Sequence, residues 1–348
     1  MNHTMNNPHA FQQEATETSI PRDPGIICTF KGHGGVRCPH AALRPGGFCF
    51  WHDPHVDKTG PHVKAELEAL VRDDRSLEGF NLRGADLRSI QLTHRNPEKS
   101  VDLRNADLSR ANLQGAHLFN IDLRGSTLLK ADVRGANLNF AKVEGANLLG
   151  ADLRDTRLER LEWGKRLMQE YAARKMQHEG RPIEAMRLYD EAEETYRAVT
   201  LALQERGHSN LAGHFYLKQK IMSRMQMKVG SREWFWSKLV DIVCGYGERP
   251  DRVIAFTLWV MLVCGLVYFA VGIQGQNGIL GIDFGASLVD NLYELLSCLY
   301  FSVVTFTTVG YGEILPIRWL RALAAGEAFV GAFSISLFVV VFVKRMTR

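Results

Sequence analysis

Four residues near the start of the chain have the types and spacing of a metal site. Cys28, Cys38, Cys49 and His52 read C-x9-C-x10-C-x2-H. Three thiolates and an imidazole suit tetrahedral zinc, and the close Cys49/His52 pair has ordinary ligand spacing. Gly32, Gly34, Gly35, Gly46 and Gly47 supply turns around them. The stretch 26–62 has few aliphatic residues and cannot build a stable core alone, so a structural metal would staple it. The competing reading is free thiols in a loose segment, with His33, His40 and His55 as chance neighbours. The other cysteines, Cys244, Cys264 and Cys298, lie in or beside apolar runs without an obvious partner. That usage fits a reducing compartment and no disulfide framework. A second group lies far along the chain: Thr307, Thr308, Val309, Gly310, Tyr311, Gly312 and Glu313. Glycine takes backbone twists closed to other residues, so such a string can aim successive carbonyl oxygens to one side.

Two apolar runs bracket that second group. Residues 253–273 carry no charge, and residues 322–343 carry one, Glu327. A bilayer core about 30 Å thick needs roughly 20 apolar helical residues, so each run can span. An ionisable group within a span is by default functional; the alternative for Glu327 is a neutral or hydrogen-bonded structural group. Elsewhere the composition is ordinary, with 46% hydrophobic and 23% charged residues, which excludes wholesale disorder. The net charge of +4 is too small to argue for nucleic acid. Residues 1–25 are polar with no apolar stretch, so they read as a disordered tail and not a signal peptide. Arg249 and Arg252 precede the first run, and Lys344, Arg345 and Arg348 follow the second. The positive-inside tendency then puts both chain ends in the cytoplasm, against a weaker opposite signal from Arg318 and Arg321. The expected location is a plasma or bacterial inner membrane, with residues 274–317 on or within its outer half.

Between the runs lies NLYELLSCLYFSVVTFTTVGYGEILP. The string TTVGYG resembles the signature of potassium channels, and the order span, half-helix, filter, span is that of the two-transmembrane members. The resemblance implies a homotetramer in a lipid bilayer. In it, backbone carbonyls of Thr308, Val309, Gly310 and Tyr311, ending at Gly312, replace the hydration shell of potassium ions. The Thr308 hydroxyl adds a lower ring of oxygens, and Val309 and Tyr311 side chains point away and hold the width. Leu292 to Phe306 reads as a re-entrant helix whose negative C-terminal end favours a cation. Thr307, Glu313, Tyr300 and Phe301 take filter-support positions, the last two in an aromatic cuff. Gly331, twelve residues after Trp319, falls at the inner-helix hinge. Some family members pair a pore-helix Glu with the acid after the filter; here Val304 stands at the first place and Glu313 at the second.

Residues 80–158 repeat every five positions, from FNLRG and ADLRS to ANLLG and ADLRD, fifteen units in all when TRLER is included. The third residue is always Leu or Val and the first is mostly Ala. RNPEKS (95–100) interrupts them, a one-residue slip that predicts a protruding loop. A period of five fits neither helix nor strand. The pattern A-(D/N)-L-x-x resembles the pentapeptide-repeat family, which implies a right-handed quadrilateral β-helix with four units per coil. Some members of that family mimic DNA with an acidic surface. Twelve Lys/Arg against nine Asp/Glu give +3 over 80–158, the wrong sign for a mimic. A rigid spacer or protein-docking surface is expected instead. FCFWHDP, at 48–54, has the look of small Cys/His modules found before such arrays.

The remaining chain connects these parts. Residues 63–79 read as a linker and 159–230 as a helical adaptor, with helices at 157–178, 182–206 and 209–228. Two of them, joined by a short Gly turn, look like a tetratricopeptide-type hairpin. Residues 231–250, with Trp234, Phe235 and Trp236 beside Arg232 and Lys238, predict a helix lying on the inner leaflet. The outer transmembrane helix is expected over 251–273, the pore helix and filter over 290–316, and the inner helix over 318–346. The fold class is thus a multi-domain membrane protein: a zinc module at 26–62, a β-helix, a helical hairpin and a two-span pore. Two readings of function differ in class. One is a potassium channel regulated by its N-terminal cytosolic region, where a ligand or protein binds. The other is a membrane-anchored interaction protein with a non-conducting pore. No nucleotide loop, nucleophile triad or carboxylate pair points to an enzyme.

Overall fold

The computed structural model describes residues 27–276 and 278–346; the expected tail at 1–25 lies outside them. The Cys/His segment comes first, followed by helix α1 (His62–Arg72). Sequence reading made 63–79 a linker, but Val63, Leu67 and Val71 recur at i, i+4 and i+8 and are buried on one face. The helix closes the near end of the repeat array.

In the array each strand piece is only two residues long, such as β1 (Val101–Asp102) against β2 (Ile121–Asp122), in parallel. The register repeats: Asp107 faces Thr127, Asn112 faces Asp132, Asp122 faces Lys142, always a step of twenty residues or four units. Across the insertion Asn81 faces Asp107, Asp86 faces Asn112 and Gln91 faces His117, a step of twenty-six. The whole hexamer is therefore looped out and the register resumes unchanged. First and third residues point inward: Ala111, Leu113, Ala116, Leu118, Ala136 and Leu138 are all at most 2% exposed. The fifth position turns each corner in the left-handed region, with Gly at Gly115, Gly125 and Gly135 but also Arg110, Lys130 and Phe140. Stacking against the coils above and below imposes that conformation on side chains that disfavour it.

Beyond the array stand α2 (Met168–His178), α3 (Pro182–Glu205) and α4 (Ser209–Met225). The first of these begins at Met168 and not at 157, the second ends one residue and the third three residues before the expected ends, and the other bounds fall where the sequence pattern put them. One continuous core runs from Cys28 through the array to Met222, so metal segment, repeats and adaptor form one body. Next, α5 (Arg232–Cys244) starts at Ser231, whose hydroxyl oxygen accepts from the Trp234 amide, and ends at Gly245 with φ 53°. Phe235, Trp236 and Ile242 are more than half exposed on it.

Among the described residues two helices are long and apolar enough to cross a membrane: α6 (Pro250–Val271) and α8 (Leu320–Met346). Between them lie the hairpin β3 (Ile273–Gly275) and β4 (Gly278–Leu280), and α7 (Leu288–Phe306). Gln274 also pairs with Leu315, which ties the hairpin to the segment after the glycine-rich string. α7 begins four residues before the expected Leu292, because Ser287 caps it: its oxygen accepts from the Asp290 amide at 3.2 Å. A second core, with Cys264, Tyr268, Cys298, Phe301, Leu320 and Ala324, joins α6, α7 and α8. Lys344 near the end of α8 pairs with Glu248 just before α6 at 2.7 Å, so the outward ends of both long helices share one side with the adaptor.

Candidate pore loop and metal centre

The loop after α7 carries the string 307–313. α7 ends with the Thr307 amide donating to Val303 O at 2.9 Å and the Val309 amide to Val304 O at 3.0 Å. The Thr307 hydroxyl donates back to Val303 O at 2.8 Å, so it serves the helix end and not the string beyond. Thr308, Gly310 and Gly312 have φ of 58°, 56° and 87°, while Val309 and Tyr311 between them do not share the left-handed conformation. Positive φ therefore alternates along the string, the twist needed to bring neighbouring carbonyls to one side. Sequence reading credited that twist to glycine; Thr308 adopts it without being one, a strained position of the kind found at functional sites. Val309 is 52% exposed and Tyr311 72%, so the described residues leave more than half of each uncovered.

The support positions separate. Tyr300 donates its hydroxyl to Glu313 Oε1 at 2.7 Å, which ties the segment after the string to α7. Phe301, one residue on, faces the other way and meets Tyr268 of α6 edge-on at 5.0 Å. Val304 is buried beside the helix end. Gly331 sits within an unbroken α8, and a Cβ there would lie 1.9 Å from Phe306 O. Close approach to the last turn of α7 thus gives this glycine a packing reason. Glu327, one turn earlier, is 3% exposed; it accepts from Tyr268 Oη at 2.7 Å, and its Oε1 is in hydrogen-bond contact with Ser302 Oγ.

The Cys/His group is drawn together. The ligand atoms of Cys28, Cys38, Cys49 and His52 lie within 4.8 Å of one another, and all four residues are buried. Cys38 Sγ is 3.8 Å from Cys49 Sγ, and His52 Nδ1 is 3.7 Å from Cys28 Sγ and 3.2 Å from Cys49 Sγ. A tetrahedral ion with bonds of about 2.3 Å to sulfur and about 2.0 Å to nitrogen sets such atoms about 3.5–3.8 Å apart. The donor set therefore fits zinc. His52 Nε2 lies 2.9 Å from Glu78 O, the outer contact that leaves Nδ1 free as ligand. Phe30 stacks on the imidazole at 3.8 Å. The Cys38 thiol, then burial, push Cys49 up to about 12, so a cation is what would let this cluster hold thiolates.

Contacts invisible in the sequence join the adaptor to the long helices. Asp241 of α5 is buried and accepts from Arg224 Nη1 of α4 at 2.7 Å and from Arg252 Nη1 of α6. Arg224 also reaches the Tyr246 hydroxyl at 2.9 Å. The one signal in the sequence was an acid inside the apolar run KLVDIVC. Lys344 Nζ lies 5.6 Å from the ring centre of Tyr216 on α4, besides its pair with Glu248.

Comparison with known proteins matches residues 257–348 to an ion channel family and residues 102–139 and 131–161 to pentapeptide repeats. No curated protein matches the chain. Among solved structures, a pentapeptide repeat protein from the cyanobacterium Cyanothece 51142 is 34% identical over 27% of this chain and 59% of its own, with a TM-score of 0.24. One from the thylakoid lumen of Arabidopsis thaliana is 27% identical over 30% and 65%, at 0.21. HetL of Nostoc sp. PCC 7120, a pentapeptide repeat protein involved in regulation of heterocyst differentiation, is 33% identical over 25% and 34%, at 0.13. The chain thus spans less than two thirds of each of these. Its middle thus matches pentapeptide repeats, and its C-terminal part carries a segment similar to an ion channel family.

Proposed function

We propose that the chain is one subunit of a tetrameric, potassium-selective channel whose opening is biased by its N-terminal body. The observation that carries this is the loop at 307–312: positive φ alternating along Thr-Val-Gly-Tyr-Gly, at the end of a helix held between two long apolar helices. Carbonyls turned to one side can replace a potassium ion's water only when four chains close a ring. The uncovered Val309 and Tyr311 side chains suit contact with neighbouring copies. Basic residues beside the shared side of α6 and α8 favour the cytoplasm for the N-terminal body. The array is read as a right-handed four-sided β-helix, and the Cys/His group as structural zinc that pins its capping segment. Asp241 and Lys344 are the points at which the body grips the outer and inner helices.

The test is ion flux into sealed vesicles holding purified protein. Rubidium should enter, sodium should not, and barium should block. A protein that is monomeric in detergent and lipid, or vesicles that stay sealed to rubidium, would overturn the reading.

A further inference from the structure

Glu327 is buried where α6, α7 and α8 meet, and if it is a carboxylate its neighbour Ser302 faces two acceptors with one proton. Ser302 Oγ of α7 lies 2.8 Å from Met261 O of α6 and also touches Glu327 Oε1. A carbonyl only accepts, and a serine hydroxyl has one proton. Both contacts of Ser302 are satisfied together only when Glu327 supplies the second proton. Tyr268 Oη then donates its own proton to Glu327 Oε2 at 2.7 Å. Every group in the chain from Tyr268 to Glu327 to Ser302 to Met261 O is paired, with no charge left inside the bilayer.

We propose that Glu327 is a positioning residue held as the neutral acid, which donates to Ser302 and accepts from Tyr268 to lock the filter-bearing helix to both long helices. The geometry gives it leverage on the loop. Glu327 and Gly331 are one turn apart on α8, as are Ser302 and Phe306 on α7. Glu327 and Ser302 are joined by a hydrogen bond, and one turn further on Gly331 and Phe306 are in close backbone approach. Phe306 immediately precedes the string 307–312. A slip of α8 against α7 would therefore move the end of α7 on which the loop is built. That consequence rests on the channel reading; the protonation does not.

The first experiment is infrared spectroscopy of the full chain in lipid, and it is independent of conduction. Wild-type protein should show the carbonyl stretch of a protonated carboxylic acid that Glu327→Gln lacks. Ser302→Ala, which removes the acceptor, should move that band to higher frequency. No band lost in Glu327→Gln and none shifted in Ser302→Ala overturns the proposal. The second experiment compares two variants that both keep the tetramer. Glu327→Gln retains a donor for Ser302 and an acceptor for Tyr268, and should keep potassium-over-sodium selectivity within about twofold. Glu327→Leu, apolar and tolerated in a bilayer, should lose about tenfold, the equivalent of one buried hydrogen bond. A glutamine variant that behaves like the leucine one, or a leucine variant that behaves like wild type, contradicts the positioning role.

Discussion

Replacing Asp241 by Asn should loosen the joint between the N-terminal body and the membrane helices. Asp241 is 7% exposed and is the counter-charge of Arg224, itself 7% exposed, and of the more accessible Arg252. Removing the acid leaves the Arg224 guanidinium buried without a counter-charge, with only the Tyr246 hydroxyl to accept from it, which typically costs about 3–5 kcal/mol. Taking about 3 kcal/mol, local opening of α4 and α5 becomes about a hundredfold more frequent. Hydrogen exchange of the amides across 217–247, followed by mass spectrometry in detergent, reads this directly. The double variant Asp241→Asn/Arg224→Met removes both buried charges, and Arg252 can turn to water, so most of the protection should return. The pH dependence follows. Burial raises the Asp241 carboxyl, but the hydrogen bonds from Arg224 and Arg252 outweigh it and hold the group below its ordinary range. A carboxylate with a depressed folded value contributes stability above the unfolded value of about 3.9 and loses it as pH falls further. The contribution is thus complete at pH 7 and should fade only below about pH 4. Exchange raised less than threefold in the single variant, or a double variant as open as the single, would refute the reasoning.

Other perturbations have defined outcomes. Gly331→Ala puts a Cβ 1.9 Å from Phe306 O; overpacking of this kind costs about 1–3 kcal/mol, so the protein in detergent should unfold at a lower temperature, and an unchanged temperature contradicts the close approach. Cys49→Ser should abolish bound zinc in metal analysis and expose residues 27–80 to protease, whereas wild-type protein purified without zinc contradicts the metal reading. Reversing either charge of the Lys344–Glu248 pair, which is partly exposed and worth at most about 1 kcal/mol, should change open probability by up to about fivefold. The double reversal should bring it back, and additive effects would dismiss the pair as a coupling point.

Much of the architecture is written locally. The Leu or Val at each third position and the small residue at each first define the array because its core repeats with the chain. The string TTVGYG stands out because its conformation needs hydroxyl and glycine residues at fixed places. Ser287 with Asp290 was a readable cap that sequence reading passed over, so α7 was begun too late. The apolar spacing of Val63, Leu67 and Val71 was equally readable and was absorbed into a linker. What could not be read are long-range pairings between residues that look unremarkable alone. Lys344 and Glu248 are 96 positions apart, and Tyr268 and Glu327 are 59. No local pattern reports such meetings, because helix packing decides them. The left-handed corners at Arg110, Lys130 and Phe140 are another case, since the stacked coils impose a backbone those side chains would not choose.

Ion selectivity in a planar bilayer is the most direct test of the central claim. With a tenfold potassium gradient and a membrane-impermeant anion, the current through a potassium-selective ring should reverse near the equilibrium potential, about 59 mV for a monovalent ion. Sodium should not replace potassium, and Gly310→Ala should abolish the current. A reversal potential near zero, or equal currents in sodium and potassium, would contradict the account.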